Sequence, residues 1–122
     1  MQERQSMAPY DDSNVFAKIL RGEIPCNKVY EDDFVLAFRD IAPQAPTHVV
    51  IIPKAPRACL AACGDQDVEL LGRLQLAAIK IAAQEKLESY RVVVNCGEDA
   101  GQTVFHLHMH LLGGRKFAWP AG

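Results

Sequence analysis

The sequence has no apolar run approaching the roughly 18 residues that cross a bilayer, and its first fourteen residues lack the apolar core of a signal peptide. A cytoplasmic protein without a membrane role is expected. Positive charge is not in excess: 13 basic against 15 acidic side chains leave a net charge of −2. Such a chain has no overall basic field to hold a polyanion by counterion release, so no nucleic acid partner is expected. The four cysteines, Cys26, Cys59, Cys63 and Cys96, include no CxxC pair and so form neither a zinc knuckle nor a dithiol redox motif. Free, mostly buried thiols are the default. Nor is there room for a second domain, since 122 residues with 49% hydrophobic and 23% charged side chains make one ordinary globular unit.

Histidine is scarce as well, and three of the four lie in one stretch, Gln102 to Gly114. Read as a strand, with side chains alternating between faces, it puts His106, His108 and His110 on one side. Phe105, Leu107, Met109 and Leu111 then form an apolar row on the other. A helix would align His106 with His110 and turn His108 away. Gly101 and Gly113-Gly114 supply breakers at both ends of the strand. Each ring nitrogen that loses water needs a new partner, so three imidazoles on one face point to use. The residues alone admit three readings. One is a solvated polar face; another is a metal pair at i and i+2, although no carboxylate or cysteine lies nearby on this face to complete it. The third is phosphorus chemistry, in which a neutral imidazole attacks and its adduct is then hydrolysed.

Along the chain, residues 1–12 are polar and aperiodic and read as a flexible tail, leaving 13–122 as a single domain. Ser13 or Asn14 caps a short helix carrying Val15, Phe16, Ile19 and Leu20, with Gly22 as its stop. Taken alone, Phe16 and Ile19 read as core. Strands are expected over Cys26–Glu31 and Phe34–Asp40, joined at Asp32-Asp33, and over Thr47–Ile52, ended by Pro53. His48 opens the last of these and by itself reads as structural. The longest helix should begin at Asp65 or Asp67 and run to about Glu88, roughly 35 Å, with Val68, Leu71, Leu74, Ala78 and Ile81 or Ala82 inward. Arg73, Lys80 and Glu85 should keep its other side wet. Tyr90–Cys96 is a further strand, antiparallel to the histidine strand. It brings Asn95 and Gly101-Gln102-Thr103 to the margin of the histidine face. The fold class is α+β: an antiparallel sheet of about five strands with one long and one short helix.

The run His106-Leu107-His108-Met109-His110-Leu111-Leu112 resembles the histidine-triad (HIT) signature, His-x-His-x-His-x-x with apolar x. Phe16-Ala17-Lys18-Ile19, Ile24-Pro25, Ala37-Phe38-Arg39-Asp40-Ile41, Ala45-Pro46-Thr47-His48 and Ile52-Pro53-Lys54 resemble further blocks of that family. Asn95, Leu112-Gly113-Gly114-Arg115 and Trp119-Pro120-Ala121-Gly122 are similar to its Hint branch, the purine nucleoside phosphoramidases. The resemblance implies hydrolysis of the P–N bond in AMP or GMP conjugates through a nucleotidyl-histidine, without metal or cofactor. The alternatives are cleavage of dinucleoside polyphosphates and a non-catalytic nucleotide-binding scaffold. His108 would be the nucleophile and His110 the proton donor to the amine, with His106 and His48 orienting the neighbouring rings. Asp40 would bind the ribose, and Val15, Phe16, Ile19, Phe38 and Ile41 would wall the purine. Asn95, Gly101, Thr103 and Val104 would hold the phosphate side. A homodimer is implied, with Trp119 reaching the partner's leaving-group pocket. Hint proteins commonly have serine at the position of Thr103. The cysteine pair that some bacterial relatives carry before the first helix is replaced by Ser13–Ala17.

Overall fold

The run Val49–Ile52 carries apolar side chains on both faces of a strand and must therefore be covered twice. The fold does this with a helix on each side of one sheet. A computed structural model describes residues 9–122. Its strands are β1 (Lys28–Glu31), β2 (Val35–Arg39), β3 (Thr47–Pro53), β4 (Tyr90–Val93) and β5 (Met109–Gly113), and its helices α1 (Val15–Leu20) and α2 (Val68–Gln84). Every neighbouring pair is antiparallel, in the order β1-β2-β3-β5-β4.

Alternation along β3 sorts the core into two layers. Val49 and Ile51 join Val35, Ala37, Met109 and Leu111 against Leu74, Ala77, Ala78, Ile81 and Ala82 of α2. Val50 and Ile52 join Leu36 and Phe38 against Phe16, Ile19 and Leu20 of α1. Truncating a side chain as deeply buried as Leu74 or Ile51 to alanine costs about 2–5 kcal/mol, enough to endanger a domain of this size. α1 is short and depends on its caps. The Asn14 Oδ1 accepts the Ala17 N–H at 2.9 Å, and Gly22 leaves the helix at φ +79°, where a side chain would be strained.

The elements form where the sequence predicts, but their ends differ. α2 stops at Gln84, so its 17 residues span roughly 25 Å rather than 35 Å. Lys86 sits at φ +59°, Leu87 N–H bonds back to Ala82 O, and Lys86 N–H to Ala83 O. That is the Schellman termination, and it turns Leu87 onto the core. Two side assignments on α2 are also corrected. Val68, the first residue of α2, is 73% exposed and takes no part in the core layer it was expected to join. Glu85 is not solvated: both its carboxylate oxygens accept from Arg39, at 2.7 and 3.1 Å, tying the end of α2 to the end of β2.

The histidine strand is shorter than expected. It begins at Met109, because β3 pairs with it only as far as Ile51↔Met109 and β4 only as far as Val93↔His110. Before that point the Leu107 N–H bonds to Arg57 O at 2.7 Å, outside any ladder. His106 and His108 therefore lie on an irregular approach to β5, while Leu107, Met109 and Leu111 still face α2. The expected tail falls mainly on residues 1–8, outside the described residues. At Tyr10 the chain already makes side-chain contacts with the domain.

Candidate active site

The α1 side of the sheet carries the chemistry. Register places His48 opposite Leu112 and Val50 opposite His110, so His48 and His110 are diagonal neighbours on one face. Their rings are 5.1 Å apart, with His48 Nε2 2.9 Å from His110 Nδ1. His110 lies 5.0 Å from His108. Phe16 stands edge-on to His108 at 5.0 Å and to Phe38 at 5.5 Å. All four sequence-predicted histidines, from two separated segments, thus share one site with Phe16 and Phe38.

Burial keeps each imidazole below its ordinary proton affinity. For His106, His108 and His48 it is the largest cause of a lowered pKa, opposed at His48 by the charge of Asp40. His110 is pushed down to about 4, by burial first and then by His108 and His48. At neutral pH all four are uncharged, and each has one N–H and one bare nitrogen. The partners decide which is which.

The His108 Nδ1 is 2.7 Å from the His106 carbonyl oxygen, which can only accept, so the proton is on Nδ1. Nε2 of His108 keeps its lone pair. His106 Nε2 is 2.8 Å from Pro53 O and must donate there, leaving Nδ1 bare. The Gln44 N–H donates to His48 Nδ1 at 3.0 Å. His48 therefore donates through Nε2 to His110 Nδ1, and His110 carries its proton on Nε2. One unprotonated imidazole nitrogen and one N–H of a neighbouring ring are what nucleophilic attack on phosphorus and assistance to a leaving group need.

Asp40 extends this cluster, contrary to the sequence-based expectation that no carboxylate lies near. Its N–H bonds to His48 O at 3.0 Å as the β2–β3 pairing runs out. Its Oδ2 is then 3.4 Å from His48 Nε2, while Oδ1 accepts the Ala42 N–H at 2.8 Å. Ligand atoms of Asp40, His48 and His110 lie within 4.8 Å of one another, a set that can hold a cation. Against that use, the Nε2 of His48 is committed as a donor to His110.

The other predicted site residues divide. Ile19 packs beside Phe38 in the α1 layer. Val15 is exposed and Ile41 fully so, at 102%. Asn95 overhangs Gly101, whose φ of +98° favours glycine. Thr103 is exposed and Val104 half-buried. Trp119 is 84% exposed and, among the described residues, makes no aromatic or cation–π contact with the site.

One contributor, Tyr10, escaped sequence reasoning, and Gln102, expected at the margin of the histidine face, has a bracing role that was not foreseen. Gln102 is buried, donates to Ala58 O at 2.8 Å and Val104 O at 3.0 Å, and accepts the Gly97 N–H at 2.9 Å. It braces the loop that carries Asn95 and Thr103. Tyr10 places its hydroxyl 2.5 Å from His106 Nδ1. Tyr10 has no periodicity that would single it out. The only hint was an aromatic in a polar segment.

Known proteins are similar to this chain in sequence and fold. A 14 kDa zinc-binding protein of Zea mays is 49% identical over 125 residues, covering 99% of this chain and 98% of the maize protein. The adenylylsulfatase HINT1 of Arabidopsis thaliana is 45% identical over 117 residues, 93% of this chain and 80% of that protein. Among solved structures, a HIT family hydrolase from Legionella pneumophila superposes with a TM-score of 0.87 at 50% identity, over 89% of this chain and 99% of that one. The model of the HIT domain matches residues 21–117, spanning every described strand and all four histidines, and the chain belongs to the HIT family.

Proposed function

We propose that the protein is a metal-independent hydrolase of purine nucleoside 5′-phosphoramidates, acting through a nucleotidyl adduct on His108. The observation that carries this reading is the 2.7 Å contact between His108 Nδ1 and His106 O, which leaves the buried, neutral Nε2 free for attack. Relatives named as a HIT family hydrolase and an adenylylsulfatase support nucleotide hydrolysis, and the P–N bond is the substrate we infer within that class.

In the first step the Nε2 lone pair bonds to the α-phosphorus and the P–N bond to the amine breaks. An anionic phosphate beside His110 raises that ring's proton affinity, so in the complex it carries the proton that the departing amine takes. In the second step water bonds to phosphorus, the His108–phosphorus bond breaks, and the water's proton goes to His110. Phe16, Ile19 and Phe38 offer an apolar wall for a base, with Val15 and Ile41 at its rim. The free Oδ2 of Asp40 suits a pair of ribose hydroxyls. Asn95, Gly101, Thr103 and Val104 take the phosphate side. The exposed Trp119 suits an anchor that a second copy of the chain would cover, in a homodimer measurable by sedimentation.

The relative described as an adenylylsulfatase supports an adenylyl group as the part transferred. His108→Asn should abolish turnover of an AMP-amine conjugate while AMP still binds, and mass spectrometry of briefly reacted wild type should show the adduct. Substantial residual turnover in the variant rejects His108 as nucleophile. Faster turnover of diadenosine polyphosphates than of the phosphoramidate would move the substrate to P–O–P bonds.

A further inference from the structure

The hydrogen-bond chain that sets the His108 tautomer does not end at His106. It continues into Tyr10, a residue that precedes the part of the chain matched by the family model. His106 donates through Nε2 to Pro53 O, so the Tyr10 hydroxyl, 2.5 Å from Nδ1, must be the donor in that contact. The phenol oxygen in turn accepts from Asn14 Nδ2 at 2.9 Å. The remaining capacity of the Asn14 amide is used in capping: Nδ2 also donates to Asp11 O at 2.8 Å, and Oδ1 accepts the Ala17 N–H at 2.9 Å. Its position therefore follows from the start of α1. The Tyr10 ring stands edge-on to His106, 5.6 Å between centroids. The order of donation is Asn14, Tyr10, His106, Pro53 O, with His108 tied to the His106 carbonyl.

We infer that Tyr10 is a positioning residue for the nucleophile: its hydroxyl holds His106 neutral and in one tautomer, and so keeps a positive charge from forming beside His108 when that ring becomes cationic in the adduct. The physical basis is that a donor aimed at a bare ring nitrogen stabilises the neutral imidazole and opposes protonation of that nitrogen. Bonding of His108 Nε2 to phosphorus while Nδ1 keeps its proton gives the ring a formal positive charge. A protonated His106 next to it would oppose that step. The titratable groups that face His106 are Tyr10 from the N-terminal segment and His108 from its own; Phe16 of α1 and the Pro53 carbonyl of β3 complete its surroundings. No carboxylate among the described residues hydrogen-bonds to it to offset a charge.

The inference rests on His108 as nucleophile only for its effect on rate. Its effect on His106 is independent of substrate, and the test uses both. Tyr10→Phe keeps the ring and removes the hydroxyl; Tyr10→Ala removes both, and a thermal melt checks that each is folded. Proton-detected 15N spectra of the free protein read the His106 tautomer and follow its titration. In Tyr10→Phe the His106 pKa should rise, and the acidic limb of the kcat/KM profile for an AMP-amine conjugate should move to higher pH with it. At neutral pH, kcat should fall about 3- to 10-fold, the scale of one orienting hydrogen bond, with KM nearly unchanged. Tyr10→Ala should show the same titration shift.

An unaltered His106 titration in Tyr10→Phe would overturn the inference. So would a shifted titration with an unmoved acidic limb, which would make the contact structural. A wild type that does not turn over the conjugate would reject the phosphoramidase reading instead, and the 15N titration alone would then decide the role of Tyr10.

Discussion

In the proposed reaction His48 orients the ring on the leaving-group side, and His48→Ala separates its two effects. The imidazole is buried and makes two contacts, accepting the Gln44 N–H at 3.0 Å and donating to His110 Nδ1 at 2.9 Å. Gln44 is exposed, so water replaces that acceptor at little cost. The His110 contact is worth about 0.5–1.5 kcal/mol, and the space left by the imidazole adds a similar amount, giving roughly 1–3 kcal/mol of lost stability. For a domain of this length that lowers Tm by about 4–15 °C, which leaves the variant folded at 25 °C. Its catalytic effect is then readable there. Without His48, the proton on His110 in the free protein can occupy either nitrogen, and the ring is no longer held in the orientation that directs Nε2 to the leaving group. Losing one orienting hydrogen bond predicts a fall in kcat of about 3- to 12-fold, with KM little changed because the base and ribose contacts are untouched. The assay is steady-state turnover of an AMP-amine conjugate at 25 °C beside a thermal melt. A lowered Tm with unchanged kcat would refute the tautomer argument and leave His48 as packing.

Acid should destabilise the fold before carboxylates titrate fully. An unfolded histidine gains its proton near 6.5, but native His110 does so only near 4, so stability is lost as pH falls between those values; for His110 alone the loss reaches roughly 3 kcal/mol. Denaturant melts at pH 7 and pH 4.5 with equal midpoints would contradict the burial of the four rings. Asp40→Ala should weaken AMP binding by about 10-fold or more while a dideoxy analogue loses much less, since the ribose hydroxyls supply the charge-assisted bonds. Equal losses in calorimetry would assign Asp40 to holding the Ala42 turn and His48. Turnover should be unchanged in excess EDTA, and activity lost to chelator and restored by zinc would instead make Asp40, His48 and His110 a metal centre.

Much of the architecture is legible because unbroken apolar runs mark β2 and β3, a period-two pattern marks β5 and a period-3.6 pattern marks α2. What escaped depends on partners distant in sequence. Asp40 comes beside His48 only because β2 and β3 pair in the register Arg39↔Val49, which no local pattern specifies. The irregular backbone at His106 follows from Arg57 drawing the Leu107 N–H away from the ladder. The C-terminal turn of α2 escaped because lysine, not glycine, occupies its left-handed position. The triad itself was plain, since alternate imidazoles in an apolar strand are rare and their spacing is local. Tyr10 was hidden by the same logic in reverse: a single aromatic among polar residues has no period to read.

The strand order has a temporal consequence. Among the described residues β5 follows the other four strands along the chain, yet it lies between β3 and β4 and is the strand with which β4 pairs. While a ribosome is making the chain, β1, β2, β3 and α2 can begin to associate, but β4 waits unpaired until the segment from Met109 to Gly113 emerges. That same segment carries His110, and His108, the proposed nucleophile, directly precedes it. Insertion of β5 closes a long loop back to β3, a slow kind of contact to form. A nascent chain therefore has no assembled site, and binding of AMP by translation intermediates would report the moment at which the final strand enters.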